Sequence, residues 1–274
     1  MKVSTIVVGS LALMGLTGGL ATAGNIGLTG HDDDFHCSFS STQGCAQLSA
    51  LVSFVRNGSG LKVLTFDQGS ELTTVLTTLG IAFTNVDPSV AASVTDSLFN
   101  PATYSAFIVA SDQNCGGCDN TAAGEANIAT HSTAIGAFLN AGGGILGFAG
   151  ATSANYYAFV PQTASSVGGA PSTGYSQTAV GLAHLIPAVN GDPTHNLFWD
   201  PGTHGESGFF QVAEVNATGN GTILGPNAAS TLLCVNCTVT GGIIGGAPEP
   251  STYVFMTGGL AGLAFLKKIR ARLR

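Results

Sequence analysis

The stretch Lys62-Val63-Leu64-Thr65-Phe66-Asp67 decides the fold class of this 274-residue chain. It is a short apolar run that predicts a buried strand, and the segment after it, Ser70 to Leu79, repeats apolar residues at helical spacing until Gly80. The same succession predicts three more strands at 82–87, 106–110 and 145–148. Because each strand is a continuous apolar run and helical patterns separate the strands, the sequence predicts a parallel sheet.

The other connections in this part of the chain predict two further helices. Pro88 to Leu98 has a weak helical pattern, whereas Ile128 to Asn140 places its apolar residues on one side and ends at the glycines 142–144. The predicted fold class is therefore α/β, with helices on both faces of the sheet.

Residues 61–237 are predicted to form this domain, and short strands at 209–215, 222–224 and 230–235 are expected to complete its sheet. Gly24 to Gly60 is rich in serine, glycine and aspartate and is interpreted as an N-terminal extension. The glycine-rich residues 238–247 are interpreted as a flexible spacer.

Three segments of the domain carry a family resemblance, namely residues 79–87, 104–111 and 137–145. Together they resemble the class I glutamine amidotransferase-like fold, which implies a flavodoxin-like arrangement of the sheet. That family presents its nucleophile on a sharp Gly-x-Cys-x-Gly turn. The corresponding turn here is Gly147-Phe148-Ala149-Gly150-Ala151. Because Ala149 has no reactive group, the resemblance implies an inert turn.

A hydrolase remains as an alternative, because His204-Gly205-Glu206 resembles the His-x-Glu pair of that family. In this alternative Ser153 or Thr152 supplies the nucleophile, with His204 and Glu206 as its partners. Serine and threonine at the start of a helix are more often N-caps. The sequence therefore favours a non-catalytic domain without a cofactor.

The loop 190–206 carries the largest set of chemically active side chains. His195, Asp200 and His204 could meet around a cation or a sugar, and Trp199 could stack on a sugar ring. The favoured alternative is a surface loop whose tryptophan covers the edge of the core, because loops often carry such residues without a ligand.

The acidic run Asp32-Asp33-Asp34, flanked by His31 and His36, has the same two interpretations. Its place close to a new N-terminus favours a solvated flexible tail over a metal site. The sequence therefore predicts no metal ligands.

The six cysteines form three local pairs. In an exported chain, an even number of cysteines predicts disulfides, here Cys37 with Cys45, Cys115 with Cys118, and Cys234 with Cys237. The last two pairs also have the Cys-x-x-Cys spacing of zinc ligands. A four-thiolate zinc site therefore stays open as one alternative, and a redox pair at Cys115 and Cys118, whose bond would close a tight loop, as another.

The N-terminal 23 residues have the pattern of a secretory signal peptide. Lys2 precedes a long apolar run, and Ala21-Thr22-Ala23 is a small-residue cleavage site. The Sec machinery and signal peptidase are the partners that this pattern implies.

The C-terminal segment combines three features in order. Ala247-Pro248-Glu249-Pro250-Ser251 precedes the apolar run Thr252–Leu266, and five of the eight lysines and arginines follow it, at positions 267, 268, 270, 272 and 274. This segment, 248–274, resembles the PEP-CTERM sorting signal of Gram-negative bacteria. The resemblance implies a precursor spanning the inner membrane with its basic tail in the cytoplasm. It also implies cleavage near Pro248, Glu249 and Pro250 by an exosortase-type membrane protease.

The net negative charge of the chain argues against a nucleic-acid partner. The net charge is −7, and Arg56 and Lys62 are the only basic residues between positions 24 and 247, so a nucleic-acid surface is excluded. The leading expectation is an exported, non-catalytic protein of the cell surface or the exopolysaccharide matrix. The alternatives are the hydrolase and a glycan or metal binder using the 190–206 loop.

Overall fold

The computed structural model describes residues 22–39, 42–113, 119–150, 156–162, 164–191, 194–198, 209–218 and 224–239. The strands are β1 Ile26–Thr29, β2 Val63–Phe66, β3 Phe83–Val86, β4 Ala106–Val109, β5 Gly144–Gly147, β6 Ser166–Gly168, β7 Tyr175–Gln177, β8 Asn196–Phe198, β9 Gln211–Asn216 and β10 Ala228–Cys234. The helices are α1 Asp33–Phe39, α2 Thr42–Arg56, α3 Glu71–Thr78, α4 Ala122–Ala129, α5 Ser132–Asn140 and α6 Ala179–Ala183. Short 3-10 turns lie at Ala91–Ser93, Asp96–Leu98 and Tyr156–Phe159.

All ten strands belong to one mixed sheet in the order β3-β2-β4-β5-β1-β10-β8-β6, with β9 paired to β10 and β7 paired to β9. The five strands from β3 to β1 are parallel to one another. The pairs that involve β6 to β10 are antiparallel. The predicted α/β class is confirmed, but the expectation of a purely parallel sheet is wrong for the C-terminal half.

Helices cover both faces of the parallel strands, and the alternation along β4 explains why. Phe107 and Val109 pack into the cluster that contains the apolar residues of α4 and α5. Ala106 and Ile108 face the opposite way, into the cluster that contains the apolar residues of α2 and α3. Side chains of a strand point alternately to its two faces, so a continuous apolar run requires a core on each side.

Strand β1 lies inside the sheet, although the sequence places residues 24–60 in an extension. It pairs in parallel with β5 through Ile26 and Ile145, and in an antiparallel manner with β10 through Ile26 and Cys234. Helix α2, which contains the buried apolar residues Leu48, Leu51, Val52 and Val55, packs on β1 and β5. Residues 24–60 therefore contribute a strand and a helix to the same core as the later elements.

Two predicted helices differ from those observed. The segment 88–98 forms only two 3-10 turns, and no residue of either turn is buried. A short helix without an apolar face packed on the core is marginal in water. The predicted helix 128–140 is two helices, because α4 ends at Ala129 and α5 begins at Ser132.

No helix within the described ranges is long and apolar enough to cross a membrane. The predicted membrane segment 252–266, the signal peptide up to residue 21 and the sorting motif Pro248-Glu249-Pro250 lie outside those ranges.

Helix α4 buries one carboxyl group in the core. The Glu125 side chain is 3% exposed, and its Oε1 atom has no hydrogen-bond partner among the described residues. Burial, together with the negative charge of Asp112, raises the pKa of Glu125 to about 10. Glu125 is therefore protonated in the folded protein at neutral pH.

We predict that Glu125→Gln stabilises the protein in a pH-dependent way. Because the folded pKa is raised, the contribution of this group to stability is fully present below its unfolded pKa and is lost as pH rises towards about 10. The stability gain of the variant over wild type should grow by about 1.4 kcal/mol per pH unit above about pH 4.5, measured by denaturant unfolding. Glu71→Gln is the matched control: a hydrogen bond to Asp119 lowers the pKa of Glu71, so the contribution of Glu71 to stability is lost only as pH falls below about 4.5, and this variant should show no growing gain above that pH. A pH-independent difference for Glu125→Gln would contradict the assignment.

Candidate metal centre

Two distant segments lie side by side beyond the end of β1. The His195 and Asn196 amides both donate to the Gly30 carbonyl, at 2.9 and 3.3 Å, and His31 forms an antiparallel bridge with Thr194. A Cβ atom at position 30 would clash with the Asn196 carbonyl, so the close approach requires glycine there. The two segments are held in one register as a result.

This register brings two pairs of polar side chains into contact. His31 and Thr194 contact each other through Nδ1 and Oγ1 at 2.8 Å. Asp32 and His195, the next residue in each segment, also contact each other, with Oδ2 and Nε2 3.0 Å apart. Because side chains alternate along extended backbone, the first pair faces the protein interior and the second forms the candidate site.

Helix α1 brings a third side chain to the site. The Asp32 carbonyl accepts from the amides of Phe35 and His36, both at 3.0 Å, which starts the first turn. Residues four apart lie on the same face of a helix. His36 Nε2 therefore lies 3.2 Å from Asp32 Oδ2, the same oxygen that His195 contacts.

The geometry of this cluster suits one metal ion. The potential ligand atoms of Asp32, His36 and His195 all lie within 4.8 Å of one another. Ligand atoms bonded to a tetrahedral zinc ion at about 2.1 Å are about 3.4 Å apart. The two pairs that involve Asp32 Oδ2 are separated by 3.0 and 3.2 Å, a few tenths of an ångström less. The Asp32 side chain is 1% exposed, whereas His36 and His195 are 25% and 21% exposed. The cluster is therefore anchored in the core and open to solvent on its histidine side.

The surroundings of Asp32 favour the ionised form of its carboxyl group, which is the form that binds a cation. Burial alone would raise the pKa of its carboxyl group, but the hydrogen bonds and charges of His195 and His36 outweigh burial and lower the pKa below its usual value. An ionised carboxylate between two imidazoles is the protonation state that metal coordination requires.

Further carboxyl groups line the same edge of the sheet, beyond the carboxyl ends of β2 and β4. Asp34 accepts from the Ser111 amide at 2.7 Å and from its hydroxyl at 2.8 Å, and burial raises the pKa of Asp34 to about 7. Burial and hydrogen bonds to Glu71 and Asp67 raise the pKa of Asp119 to about 10. These carboxyls therefore hold protons more tightly than Asp32 does.

The structure corrects the interpretation of the acidic run. Asp32, Asp33 and Asp34 are buried, as is His31, so this segment is not a solvated flexible tail. The sequence contained one usable signal, the four-residue spacing of Asp32 and His36. His195 is a candidate ligand of the 190–206 loop, but no local pattern indicates that it joins Asp32 and His36, because this contact depends on long-range pairing.

The predicted nucleophile turn is only partly within the described residues. Ala149 is buried; its amide donates to the His31 carbonyl at 3.1 Å, and its carbonyl accepts from the Asp112 amide at 2.8 Å. Outside the described ranges lie the other predicted site residues, namely Thr152, Ser153, Trp199, Asp200, His204 and Glu206. Of the 190–206 loop, His195 is the predicted side chain that reaches the cluster.

Two of the three cysteine pairs are joined as disulfides. Cys37 of α1 is bonded to Cys45 of α2, and Cys234 at the end of β10 is bonded to Cys237. The first bond links the helix that carries His36 to its neighbour. Cys115 and Cys118 lie outside the described residues.

Comparison of the chain with family models, with curated proteins and with solved structures found no match.

We predict that the four cysteines at 37, 45, 234 and 237 resist alkylation in the native, non-reduced protein. Each sulfur is bonded to its partner, so a chelator should release no thiol from these positions. Mass spectrometry after alkylation, with and without a chelator, measures this. Chelator-dependent alkylation of Cys234 and Cys237 would support the four-thiolate zinc site instead.

Proposed function

We propose that this chain is an exported protein whose α/β domain binds one divalent transition-metal ion through Asp32, His36 and His195. The observation that carries the proposal is the convergence of two imidazole nitrogens on one buried carboxylate oxygen, at 3.0 and 3.2 Å. Two nitrogens and one oxygen form a donor set typical of zinc and its neighbours in the first transition row. Calcium and magnesium prefer sites made only of oxygen.

A cation at this position is compatible with the charges around Asp32. The hydrogen bonds and charges of His195 and His36 already lower the pKa of Asp32. A divalent cation bound by the same three side chains would supply positive charge to Asp32 with both imidazoles in the neutral form that binds metals.

Three protein ligands would leave a coordination position of the metal for water or for a ligand group. The partial exposure of His36 and His195 gives that position access from solvent. This metal site corresponds to the metal-binder alternative for the 190–206 loop, because His195 belongs to that loop. The residues of the hydrolase alternative, Ser153 or Thr152 with His204 and Glu206, lie outside the described ranges, so that alternative stays a prediction.

We also propose the finer fold assignment, a flavodoxin-like or amidotransferase-like sheet. The order β3-β2-β4-β5 matches the 2-1-3-4 order of the first four strands of a flavodoxin-like sheet, which supports it. The next position is filled by β1, which comes from the N-terminal side of the chain. In such sheets ligands bind beyond the carboxyl ends of the strands, and the candidate site begins just past the end of β1.

For the location of the protein, we propose export through the Sec machinery, removal of residues 1–23 by signal peptidase, and exosortase cleavage near Pro248-Glu249-Pro250. The mature protein would then reach the cell surface or the exopolysaccharide matrix. The two disulfides support this route, because such bonds persist in oxidising compartments.

Zinc titration of the purified full-length protein tests the metal centre. We expect one zinc ion per chain, measured by isothermal titration calorimetry, and at least about a 100-fold weaker affinity for His36→Ala, since losing a direct ligand should cost no less than losing a supporting contact. His131→Ala is the matched control, because His131 also contacts a carboxylate, Asp96 at 2.6 Å, but without a second imidazole in that contact.

Equal zinc affinity in wild type, His36→Ala and His195→Ala would contradict the proposed centre. If replacing Cys115 and Cys118 by serine abolished zinc binding, the zinc site would instead be assigned to the cysteines.

The sorting proposal is tested in a host that carries an exosortase. Pro248→Ala should leave the uncleaved precursor in the membrane fraction, whereas Pro226→Ala, in the folded domain, should be processed like wild type. Fractionation followed by immunoblotting measures both. Identical processing of Pro248→Ala and wild type would refute the sorting signal.

A further inference from the structure

The Glu214 carboxylate is held by five hydrogen-bond donors. Oε2 accepts from His31 Nε2 at 2.7 Å, and Oε1 accepts from the Val189 amide at 2.7 Å. The other donors come from α2 and β10: Gln47 Nε2, Ser230 Oγ and Thr231 Oγ1. Donors from several parts of the chain fix the position of this fully buried carboxylate.

The contact with Glu214 determines which nitrogen of His31 carries the proton. A carboxylate that accepts five hydrogen bonds requires a donor at Nε2. The other ring nitrogen, Nδ1, contacts the Thr194 hydroxyl at 2.8 Å. Glu214, His31 and Thr194 therefore form a continuous chain of hydrogen bonds.

This chain ends one residue from a proposed metal ligand. Thr194 precedes His195, and the two side chains face opposite sides of the same extended segment. On the partner segment, His31 precedes Asp32 in the same way. A slip of one residue between the segments would turn His195 away from Asp32 and His36. The pairing of His31 with Thr194 opposes that slip.

We propose that His31 and Glu214 are positioning residues, which act through Thr194 to hold His195 at the metal centre. This inference rests on the proposed metal function. The hydrogen-bonded groups behind metal ligands typically change affinity by about 10- to 100-fold. Removing the Thr194 hydroxyl should weaken zinc binding by about that factor.

The test compares three variants of the full-length protein. Thr194→Val keeps the shape of the side chain but removes the hydroxyl, and we expect about 10-fold weaker zinc binding or more. Thr194→Ser restores the hydroxyl and should bind nearly as tightly as wild type. Thr65→Val is the control: it removes a buried hydroxyl, 2.8 Å from Asn85 Oδ1, on β2 and outside the Glu214 network. Its zinc affinity should stay close to wild type.

Cobalt(II) absorption separates a positioning role from general destabilisation. With His195 misplaced, cobalt bound to Thr194→Val should show a changed visible spectrum, whereas Thr65→Val and Thr194→Ser should retain the wild-type spectrum. Equal affinity and spectra for Thr194→Val and wild type would overturn the proposal. Equal losses in Thr194→Val and Thr65→Val would also overturn it, since the effect would then be one of stability alone.

A measurement on wild type covers the case in which Thr194→Val does not fold. Coupling between sites is reciprocal, so zinc should slow the exchange of the His31 ring proton and the Thr194 amide, measured by NMR. No change on zinc addition would refute the positioning role. If wild type binds no zinc, both this inference and the proposed function fail. If zinc binds through Asp32, His36 and His195 without these effects, only this inference fails.

Discussion

Strand β1 is hydrogen-bonded on both sides, to parallel β5 and to antiparallel β10, and the rest of the structure depends on this double pairing. It joins the parallel half of the sheet to the antiparallel half. It also directs the chain out at the edge where the parallel strands end, so that Gly30, His31 and Asp32 meet the returning segment at 194–196. The fold thereby places residues from opposite ends of the domain in one cluster.

The buried carboxyl groups of the domain divide into two kinds according to their neighbours. Those buried beside hydroxyls or other carboxyls, such as Asp34, Asp119 and Glu125, have a raised pKa. Those that meet an imidazole, Asp32 and Glu214, have a lowered pKa despite the opposing effect of burial. In a domain with so few basic residues, protons neutralise the first kind and histidines hold the second kind ionised. Of these two carboxylates, Asp32 contacts histidines that are partly exposed to solvent, His36 and His195.

The parts of the fold that follow local patterns could be predicted from the sequence. The continuous apolar runs of β2, β4 and β5 and the helical spacing of α3 identify the parallel part of the sheet. Strand β1 is as short as β2, β4 and β5, but it escaped prediction because Gly27 interrupts its apolar residues and an acidic run that resembles a solvated tail follows it. The candidate site escaped for a different reason. The contact between His31 and Thr194 joins residues 163 positions apart, and no local pattern encodes such pairing.

The most direct test of a metal centre at Asp32, His36 and His195 is a crystal structure of the protein grown with zinc, with anomalous diffraction recorded at the zinc absorption edge. The account predicts one strong anomalous peak about 2.0–2.2 Å from an Asp32 carboxylate oxygen and from Nε2 of His36 and His195. A peak on cysteine sulfurs instead, or no peak within bonding distance of these three side chains, would contradict it.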